Sequence, residues 1–215
     1  MNDAQLTPLV EMAEALLDAA RRDGRRRILG ITGEPGAGKS TLTAHLIEAL
    51  GPQLACAVPM DGFHLADAPL RRLGRLSRKG APDTFDADGY VHLLDRVAAA
   101  RPGERSIWAP SFERDLEQPL AGALEIPSHV ALVITEGNYL LLDTEPWRRI
   151  REMLDQVWYV TVDQAVRHER LIARHERFGK DPDAARAWAL GPDEDNARLI
   201  AASAARADRI LTLPA

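Results

Sequence analysis

The sequence Ile28-Leu29-Gly30-Ile31-Thr32-Gly33-Glu34-Pro35-Gly36-Ala37-Gly38-Lys39-Ser40-Thr41 decides the fold of this 215-residue chain. Residues 28–32 are an apolar run of strand length, residues 33–40 match the pattern G-x-x-x-x-G-K-[ST], and residues 39–50 have helical periodicity. A glycine-rich turn between a strand and a helix points backbone N–H groups at a phosphate chain, and the helix N-terminus adds its positive dipole end. The stretch therefore predicts a nucleoside triphosphate site.

The whole turn is predicted to contact the nucleotide, and two of its residues have a particular chemistry. We expect Lys39 to reach the β and γ phosphate oxygens and the Ser40 hydroxyl to ligate Mg²⁺. The predicted nucleotide contacts in the turn are Gly33, Glu34, Pro35, Gly36, Ala37, Gly38, Lys39, Ser40 and Thr41. The motif indicates a bound triphosphate but does not say what is done with it.

Short apolar runs and helical patterns alternate along the rest of the chain. The further runs of strand length are residues 54–60, 106–109, 130–135, 157–162 and 210–213. The further helical patterns are residues 6–20, 88–100, 145–155, 164–178 and 193–206. Most of the runs lack polar alternation, which is typical of strands buried on both faces. This order predicts an α/β fold in which helices cover both faces of a mostly parallel sheet.

Composition and charge argue against several classes of protein. Lys and Arg total 27 against 32 Asp and Glu, a formal net charge of −5, so no excess of positive charge attracts nucleic acid or an anionic membrane. The longest uniformly apolar stretch, residues 130–134, is far shorter than the ~20 residues that span a bilayer. The single cysteine, Cys56, cannot form an internal disulfide. We expect one cytoplasmic domain over residues 1–215, with no nucleic-acid or membrane partner.

Lysine is scarce in this chain. Of the 27 basic residues, only Lys39, Lys79 and Lys180 are lysines. The position of each lysine is therefore more informative than that of a single arginine.

A strand-end carboxylate provides a second signal. Residues 129–135 read as a buried strand, and Glu136 and Gly137 follow it. A carboxylate in this position can hold Mg²⁺ or one of its waters beside Ser40, so Glu136 is predicted as a metal ligand. The alternative is that Glu136 caps the following turn.

The second strand ends in another carboxylate, within Val58-Pro59-Met60-Asp61-Gly62-Phe63-His64. Ligands of open α/β sheets bind at the carboxyl ends of the strands, so Asp61 is expected to face the γ-phosphate. There it would accept a proton from an acceptor hydroxyl group during phosphoryl transfer. The alternative is that Asp61 only forms a turn with Gly62.

A stripe of four arginines lies on the helical pattern 164–178, at spacings of 3, 4 and 3. The four are Arg167, Arg170, Arg174 and Arg177. Like charges in such a row repel one another unless an anion faces them, so the helix is predicted to begin a mobile lid over the triphosphate. The alternative is a solvated face moderated by nearby glutamates. His168 and His175 are interpreted as surface residues rather than metal ligands.

The segment 61–87 is long for a connection without a strong pattern, and such segments tend to be functional. Arg78 and Lys79 could meet an acid or a phosphate, and Asp83 and Asp86 could accept hydrogen bonds from sugar-type hydroxyl groups. Each could equally be an ordinary surface residue. Residues 111–114, after the third strand, are weaker candidates for the same acceptor pocket.

The motifs together resemble a known family. The segments GEPGAGKST (33–41), VPMDGFHL (58–65), RKGAPDTFD (78–86), TEGNYLLLD (135–143) and RHERLIARHER (167–177) occur in that order. They are similar to the uridine kinase, pantothenate kinase and phosphoribulokinase group of P-loop kinases. Within this group, DGFHL, RKGAPDTFD and EGNYLLL most resemble bacterial proteins described as nucleoside/nucleotide kinases or fructose transport system kinases.

The resemblance implies a three-layer P-loop NTPase fold, with a mostly parallel sheet of five strands or slightly more and a helical lid. It implies phosphorylation of a small-molecule hydroxyl group by ATP, with Asp61 as the base and Mg²⁺ at Ser40 and Glu136. We expect an acceptor segment over about residues 61–87 and a lid over about 164–191. The expected acceptor is a sugar of the fructose type. The alternatives are a uridine-like nucleoside and, outside the kinases, a P-loop nucleotide switch.

The predicted residues fall into three sets. The catalytic residues are Asp61, Lys39, Arg170 and Arg174, and the two arginines also contact the nucleotide. The acceptor-binding residues are Asp61, Phe63, His64, Arg78, Lys79, Asp83, Phe85, Arg114 and Glu136. The metal ligands are Ser40 and Glu136. The expected partner is a small-molecule acceptor, and a homodimer is a possible assembly.

Overall fold

The structure is a computed structural model that describes residues 3–214. Its strands are β1 (Arg27–Gly33), β2 (Ala55–Pro59), β3 (Ile107–Glu113), β4 (Gln118–Ile126), β5 (Leu132–Glu136), β6 (Gln156–Thr161) and β7 (Arg209–Thr212). Its α-helices are α1 (Asp3–Asp23), α2 (Lys39–Leu50), α3 (Asp67–Arg72), α4 (Ala87–Ala99), α5 (Arg148–Met153), α6 (Gln164–Arg177), α7 (Pro182–Leu190) and α8 (Pro192–Ala201). No helix within the described range is both long and apolar enough to cross a membrane.

A five-stranded sheet in the order β2-β5-β1-β6-β7 forms the centre of the fold, and all its neighbouring strands are parallel. Successive side chains of a strand point to opposite faces, so Ile28 of β1 joins one apolar cluster while Leu29 and Ile31 join the other. Helices α1 and α2 cover the second face, and α4, α5 and α8 cover the first. The predicted three-layer α/β arrangement is confirmed.

The register of the sheet brings three strand ends together. Glu136, the last residue of β5, pairs with Pro59 at the end of β2 and with Ile31 near the end of β1. Because parallel strands share one carboxyl edge, the turn after β1 and Asp61 after β2 lie on either side of Glu136. This edge positions the predicted site.

The predicted strand at residues 106–109 does not join the parallel sheet. It forms β3, which pairs antiparallel with β4 in a separate two-stranded sheet. The sequence of β4 gives little strand signal because it contains Pro119 and Gly122 and most of its residues are exposed. The pairing therefore converts residues 107–126 into a hairpin that projects beside β2.

Two short helices and one helix boundary also differ from the sequence prediction. Helices α3 and α7 were not predicted because each presents a short periodic stretch. The pattern 193–206 ends as an α-helix at Ala201 and continues as an isolated 3₁₀ turn at Ala204–Arg206. These differences leave the central sheet unchanged.

The backbone at the end of β1 leaves room only for glycine. Gly33 has φ +149°, and a Cβ there would lie 2.1 Å from the carbonyl oxygen of Val160 in β6. Gly103, in an exposed connection, also has a positive φ of +92°, but a Cβ there would meet nothing within 4 Å. An added Cβ would cause backbone strain at both positions but would collide with a neighbour only at Gly33, so comparing the two separates these effects.

We predict that Gly33→Ala lowers the free energy of unfolding by about 3–5 kcal/mol, because strain and overpacking combine. Gly103→Ala, with strain alone, should cost about 1–2 kcal/mol. Urea denaturation of both variants measures the difference. Equal losses would contradict a close approach between β1 and β6 at this point.

Candidate active site

The turn between β1 and α2 packs against α6. Gly36 has φ +82°, a left-handed backbone conformation that residues with a Cβ atom rarely adopt. A Cβ at this position would lie 2.9 Å from Cγ of Leu171 and 3.0 Å from the carbonyl oxygen of Arg167. The phosphate-binding turn predicted from the sequence is therefore braced by α6.

The Lys39 ammonium group is buried inside this turn. Its Nζ donates hydrogen bonds to the carbonyl oxygens of Gly33 (2.9 Å) and Glu34 (3.0 Å). Burial lowers the pKa of Lys39 to about 8, although the carboxylates of Glu136 and Asp61 act in the opposite direction. The folded protein therefore holds a costly positive charge at the predicted phosphate position, which an anionic ligand would stabilise.

Ser40 and Glu136 place two oxygen donors side by side. The Ser40 hydroxyl donates a hydrogen bond of 3.0 Å to Oε1 of Glu136. Burial, and then the charge of Asp61, raise the pKa of Glu136, whereas Lys39 and the bond from Ser40 lower it. A divalent cation would stabilise the ionised form of this carboxylate, as Lys39 does. Hydroxyl and carboxylate oxygens are ligands that Mg²⁺ prefers. The two residues therefore fit the predicted metal site.

Such an ion would take its remaining ligands from elsewhere. Within residues 3–214 no group of three or more His, Cys, Asp and Glu side chains could hold a metal. Mg²⁺ commonly uses one or two protein ligands together with phosphate oxygens and water. The donor set is thus suited to an ion that arrives with a nucleotide.

Asp61 lies just beyond the end of β2, where its carboxylate is about one-third exposed. Its Oδ2 pairs with Nη2 of Arg114, from the end of the β3–β4 hairpin, at 3.4 Å. The same carboxylate influences the pKa of both Lys39 and Glu136. Asp61 therefore belongs electrostatically to the phosphate site while its side chain stays accessible.

The side chains of the phosphate site line one end of a cavity of about 420 Å³, and other elements form its remaining walls. Lys39, Ser40, Asp61 and Glu136 line one end. The other walls come from residues 64–85, from the β3–β4 hairpin, and from α6, α7 and α8. Of the predicted acceptor-binding residues, those that line the cavity are Asp61, His64, Lys79, Phe85, Arg114 and Glu136.

Three predicted acceptor residues lie outside this cavity. Phe63 instead packs its ring 5.1 Å from that of Tyr90. Arg78 and Asp83 pair with each other at 2.6 Å, and Arg75 also contacts Asp83. Local partners hold these three side chains away from this cavity, and their role in acceptor binding stays a prediction. Asp86, another sequence candidate, accepts a hydrogen bond from the backbone N–H of Gly89 and caps α4.

A second cavity, of about 370 Å³, lies on the other side of the turn. Arg170 and Arg174 line it together with Gly36, Gly38 and Thr41, and Lys39 and Ser40 line both cavities. His45, Leu213 and Pro214 complete its wall. No sequence motif marks these last three residues, because the course of the chain after β7 is what brings two of them to the turn. The two cavities thus meet at the phosphate-binding turn.

The arginine stripe divides into different roles. Arg170 and Arg174 line the second cavity, beside the turn. Arg167 is buried, pairs with Glu194 of α8, and lies 3.9 Å from Glu34 of the turn. The expectation that an anionic ligand neutralises all four arginines is wrong for Arg167, since Glu194 already supplies its counter-charge.

The two histidines of α6 are not simple surface residues. His168 pairs with Glu194 at 2.9 Å, and His175 pairs with Asp193 at 2.7 Å. Both imidazoles are largely buried against α8. The partner of His168 lies 26 residues further along the chain and that of His175 lies 18 residues further, so helical spacing alone could not reveal the pairs.

Comparisons with known proteins point to one family. Residues 28–212 match the family model described as "Phosphoribulokinase / Uridine kinase family". The chain is 33% identical over 162 residues to "Putative uridine kinase C227.14" of Schizosaccharomyces pombe, covering 70% of this chain and 67% of that protein. It is 30% identical over 223 residues to "ATP-dependent kinase YFH7" of Zygosaccharomyces rouxii, covering 89% of this chain and 59% of that protein.

A solved structure supports the same grouping. The crystal structure of a "putative fructose transport system kinase" from Silicibacter sp. TM1040 is 38% identical to this chain. The two align with a TM-score of 0.84 over 96% of this chain and 98% of that one.

The buried charge of Lys39 predicts a pH-dependent stability. Between about pH 8 and 10.5, the unfolded chain keeps a proton that the folded protein has released, so the free energy of unfolding rises with pH. Lys39→Met removes both the buried charge and this rise. We predict that the variant is more stable than the wild type below pH 8, and that its advantage shrinks by up to about 3 kcal/mol as the pH rises to 10.5. Urea denaturation at several pH values measures the difference, and an advantage that does not change with pH would contradict the burial of a charged Lys39.

Proposed function

Because this chain belongs to the phosphoribulokinase/uridine kinase family, and is thereby an ATP-dependent P-loop kinase, we propose that it transfers the γ-phosphoryl group of ATP to a hydroxyl group of a small metabolite. The observation that carries this proposal is the position of Asp61. Its accessible carboxylate shares one cavity with Lys39 and with the Ser40–Glu136 pair. A general base beside a phosphate site accelerates transfer to an alcohol, because it accepts the proton that the hydroxyl group loses.

We propose a sugar of the fructose type as the acceptor. The similarity to the fructose transport system kinase structure supports a sugar, because it extends over almost the whole of both chains. The alternative acceptor is a nucleoside, which the similarity to the uridine kinase of Schizosaccharomyces pombe favours. A nucleotide switch that phosphorylates nothing would not require a carboxylate at Asp61.

The triphosphate would lie along the turn between the two cavities. Lys39 would bind the β and γ phosphate oxygens, while Arg170 and Arg174 would approach the phosphate chain from α6. Mg²⁺, held by Ser40 and supported by Glu136, would supply positive charge to the phosphate oxygens when bound. Together these groups counter the negative charge that develops during transfer.

Asp61 would act on the acceptor. Its carboxylate accepts the proton of the acceptor hydroxyl group as the oxygen attacks the γ-phosphorus atom and the bond to the β-phosphate oxygen breaks. The products are a phosphate monoester and ADP, and the proton stays on Asp61 until solvent removes it. Nη2 of Arg114, 3.4 Å from Oδ2, places a positive charge beside this carboxylate and orients it.

Two segments would enclose the reaction. Residues 61–87 form the proposed acceptor segment, and residues 164–191 form the proposed lid, whose side chains line both cavities. Closure of the lid would exclude water and so suppress hydrolysis of ATP. The kinase family implies a small-molecule partner, whereas a cytoplasmic location and a homodimer stay predictions.

Asp61→Asn separates binding from chemistry. The amide keeps the shape of the side chain but cannot take the proton, so we predict a turnover lower by roughly 10² to 10⁴ and an ATP affinity within a few-fold of the wild type. Steady-state kinetics and calorimetric ATP titration give the two values. A variant with weakened Mg·ATP binding and normal turnover would place Asp61 in the metal site instead.

Glu136→Gln tests the metal site. Because the neutral amide supports a divalent cation less well, the Mg²⁺ concentration for half-maximal activity should rise by roughly 10- to 100-fold. Exposed Glu104→Gln provides a control of the same chemical change and should leave the requirement unchanged. Activity of the wild type that persists in excess chelator would contradict a role for Mg²⁺.

A further inference from the structure

All three lysines of the chain line one cavity. Lys39 lies at its phosphate end, whereas Lys79 and Lys180 lie on the walls contributed by the acceptor segment and the lid. The other 24 basic residues are arginines, and only Arg114 and Arg174 join them there. Because lysine is scarce in this chain, the presence of all three lysines in one cavity indicates that the cavity binds an anion.

Three cations on this cavity lie against aromatic rings that line the same cavity. Nζ of Lys180 lies 4.7 Å from the centre of the Trp188 ring, and Nζ of Lys79 lies 5.4 Å from that of Phe112. The Arg114 guanidinium lies 5.9 Å from the centre of the Phe178 ring. An aromatic face attracts a cation and limits its movement, but it does not cancel the charge. The rings therefore hold these cations in place without supplying a counter-charge.

Of the three cavity cations that lie against aromatic rings, Lys180 is the one without a carboxylate partner within residues 3–214. Asp67 pairs with Lys79 at 2.8 Å, Asp61 pairs with Arg114, and Asp193 pairs with His175. Within residues 3–214, Nζ of Lys180 has no carboxylate partner and no hydrogen bond, so its N–H donors are available to a ligand.

The other charged groups leave this assignment intact. Glu117 also lines the cavity, but it is exposed to solvent, and water screens the charge of its carboxylate. Arg174 and Lys39 lie where the two cavities meet and face the proposed triphosphate, whereas Lys180 lines only the cavity of Asp61. Lys180 thus belongs to the acceptor end.

Resting on the proposed kinase function, we propose that the acceptor carries an anionic group, a carboxylate or a phosphate, which binds Nζ of Lys180 above the face of Trp188. The hydroxyl group to be phosphorylated then reaches Asp61 from the same cavity. This narrows the proposed fructose-type sugar to one that carries an acid or phosphate group, and it disfavours a neutral sugar or a nucleoside. Lys79 and Arg114 add positive potential around the anion.

A binding measurement tests the site without turnover. In protein saturated with a non-hydrolysable ATP analogue and Mg²⁺, the triphosphate site is filled, so inorganic phosphate reports on the acceptor end. We expect calorimetry to detect phosphate binding in the wild type, and Lys180→Met to weaken it at least about fivefold, because a charge-assisted hydrogen bond is lost. Lys180→Arg should retain it. Arg186→Met, which removes a positive charge from the exposed side of α7, is the matched control and should bind within about twofold of the wild type.

Kinetics with paired acceptors tests the substrate class. ADP release is measured with fructose and fructose 1-phosphate, glucose and gluconate, and glycerol and glycerate. We expect the charged member of at least one pair to have a kcat/KM about tenfold or more above its neutral partner. Lys180→Met should remove this preference while leaving the KM for ATP within about twofold. The phosphate and carboxylate pairs show which anion is preferred.

The opposing outcomes are distinct. Preference for neutral acceptors, or equal phosphate binding by the wild type and Lys180→Met, would overturn the anionic acceptor while leaving the kinase proposal standing. A raised KM for ATP in Lys180→Met, with the acceptor unaffected, would assign Lys180 to the triphosphate and overturn the inference. Tight ATP binding with no acceptor-stimulated ADP release from any pair would contradict the proposed function itself and the inference that rests on it.

Discussion

The burial of the Lys39 ammonium group beside two carboxylates is the constraint on which the site depends. Its Nζ is held by two carbonyl oxygens of the turn, while Glu136 and Asp61 supply the nearby negative charge. Burial lowers the pKa of Lys39 and raises that of Glu136, so the fold keeps both groups under electrostatic stress. A triphosphate with its cation would relieve both. The chain thus gives up stability at the place where binding energy is required.

The sheet and the helices produce this arrangement by simple geometry. The parallel register sets Glu136 between the ends of β1 and β2, and the glycines of the turn let it lie close to β6 and α6. Arg167, between Glu34 and Glu194, then ties the turn, α6 and α8 together. The start of the proposed lid is therefore fixed to the phosphate site, whereas its later residues, Phe178 to Trp188, form a wall of the acceptor cavity.

Local patterns predicted the central sheet, α2 and the carboxylates at the strand ends, because each depends on neighbours close in sequence. They could not predict β4, whose exposed residues pair with β3. They also could not predict that Leu213 and Pro214 form part of the wall of the second cavity. They also assigned Arg78 and Asp83 to the acceptor, although the two side chains pair with each other. Charge patterns in the sequence identify candidate ligands for an anion or a hydroxyl group. Only the fold shows which of them already have a protein partner.

The most direct test of the kinase account follows the fate of the γ-phosphorus atom. ³¹P NMR of the protein with Mg·ATP and a mixture of neutral and anionic sugars distinguishes transfer from hydrolysis, because phosphate monoesters and inorganic phosphate give separate signals. The account predicts a new monoester signal that grows in equal proportion to ADP and requires the added sugars. Inorganic phosphate as the sole product, or ATP that remains intact, would contradict it.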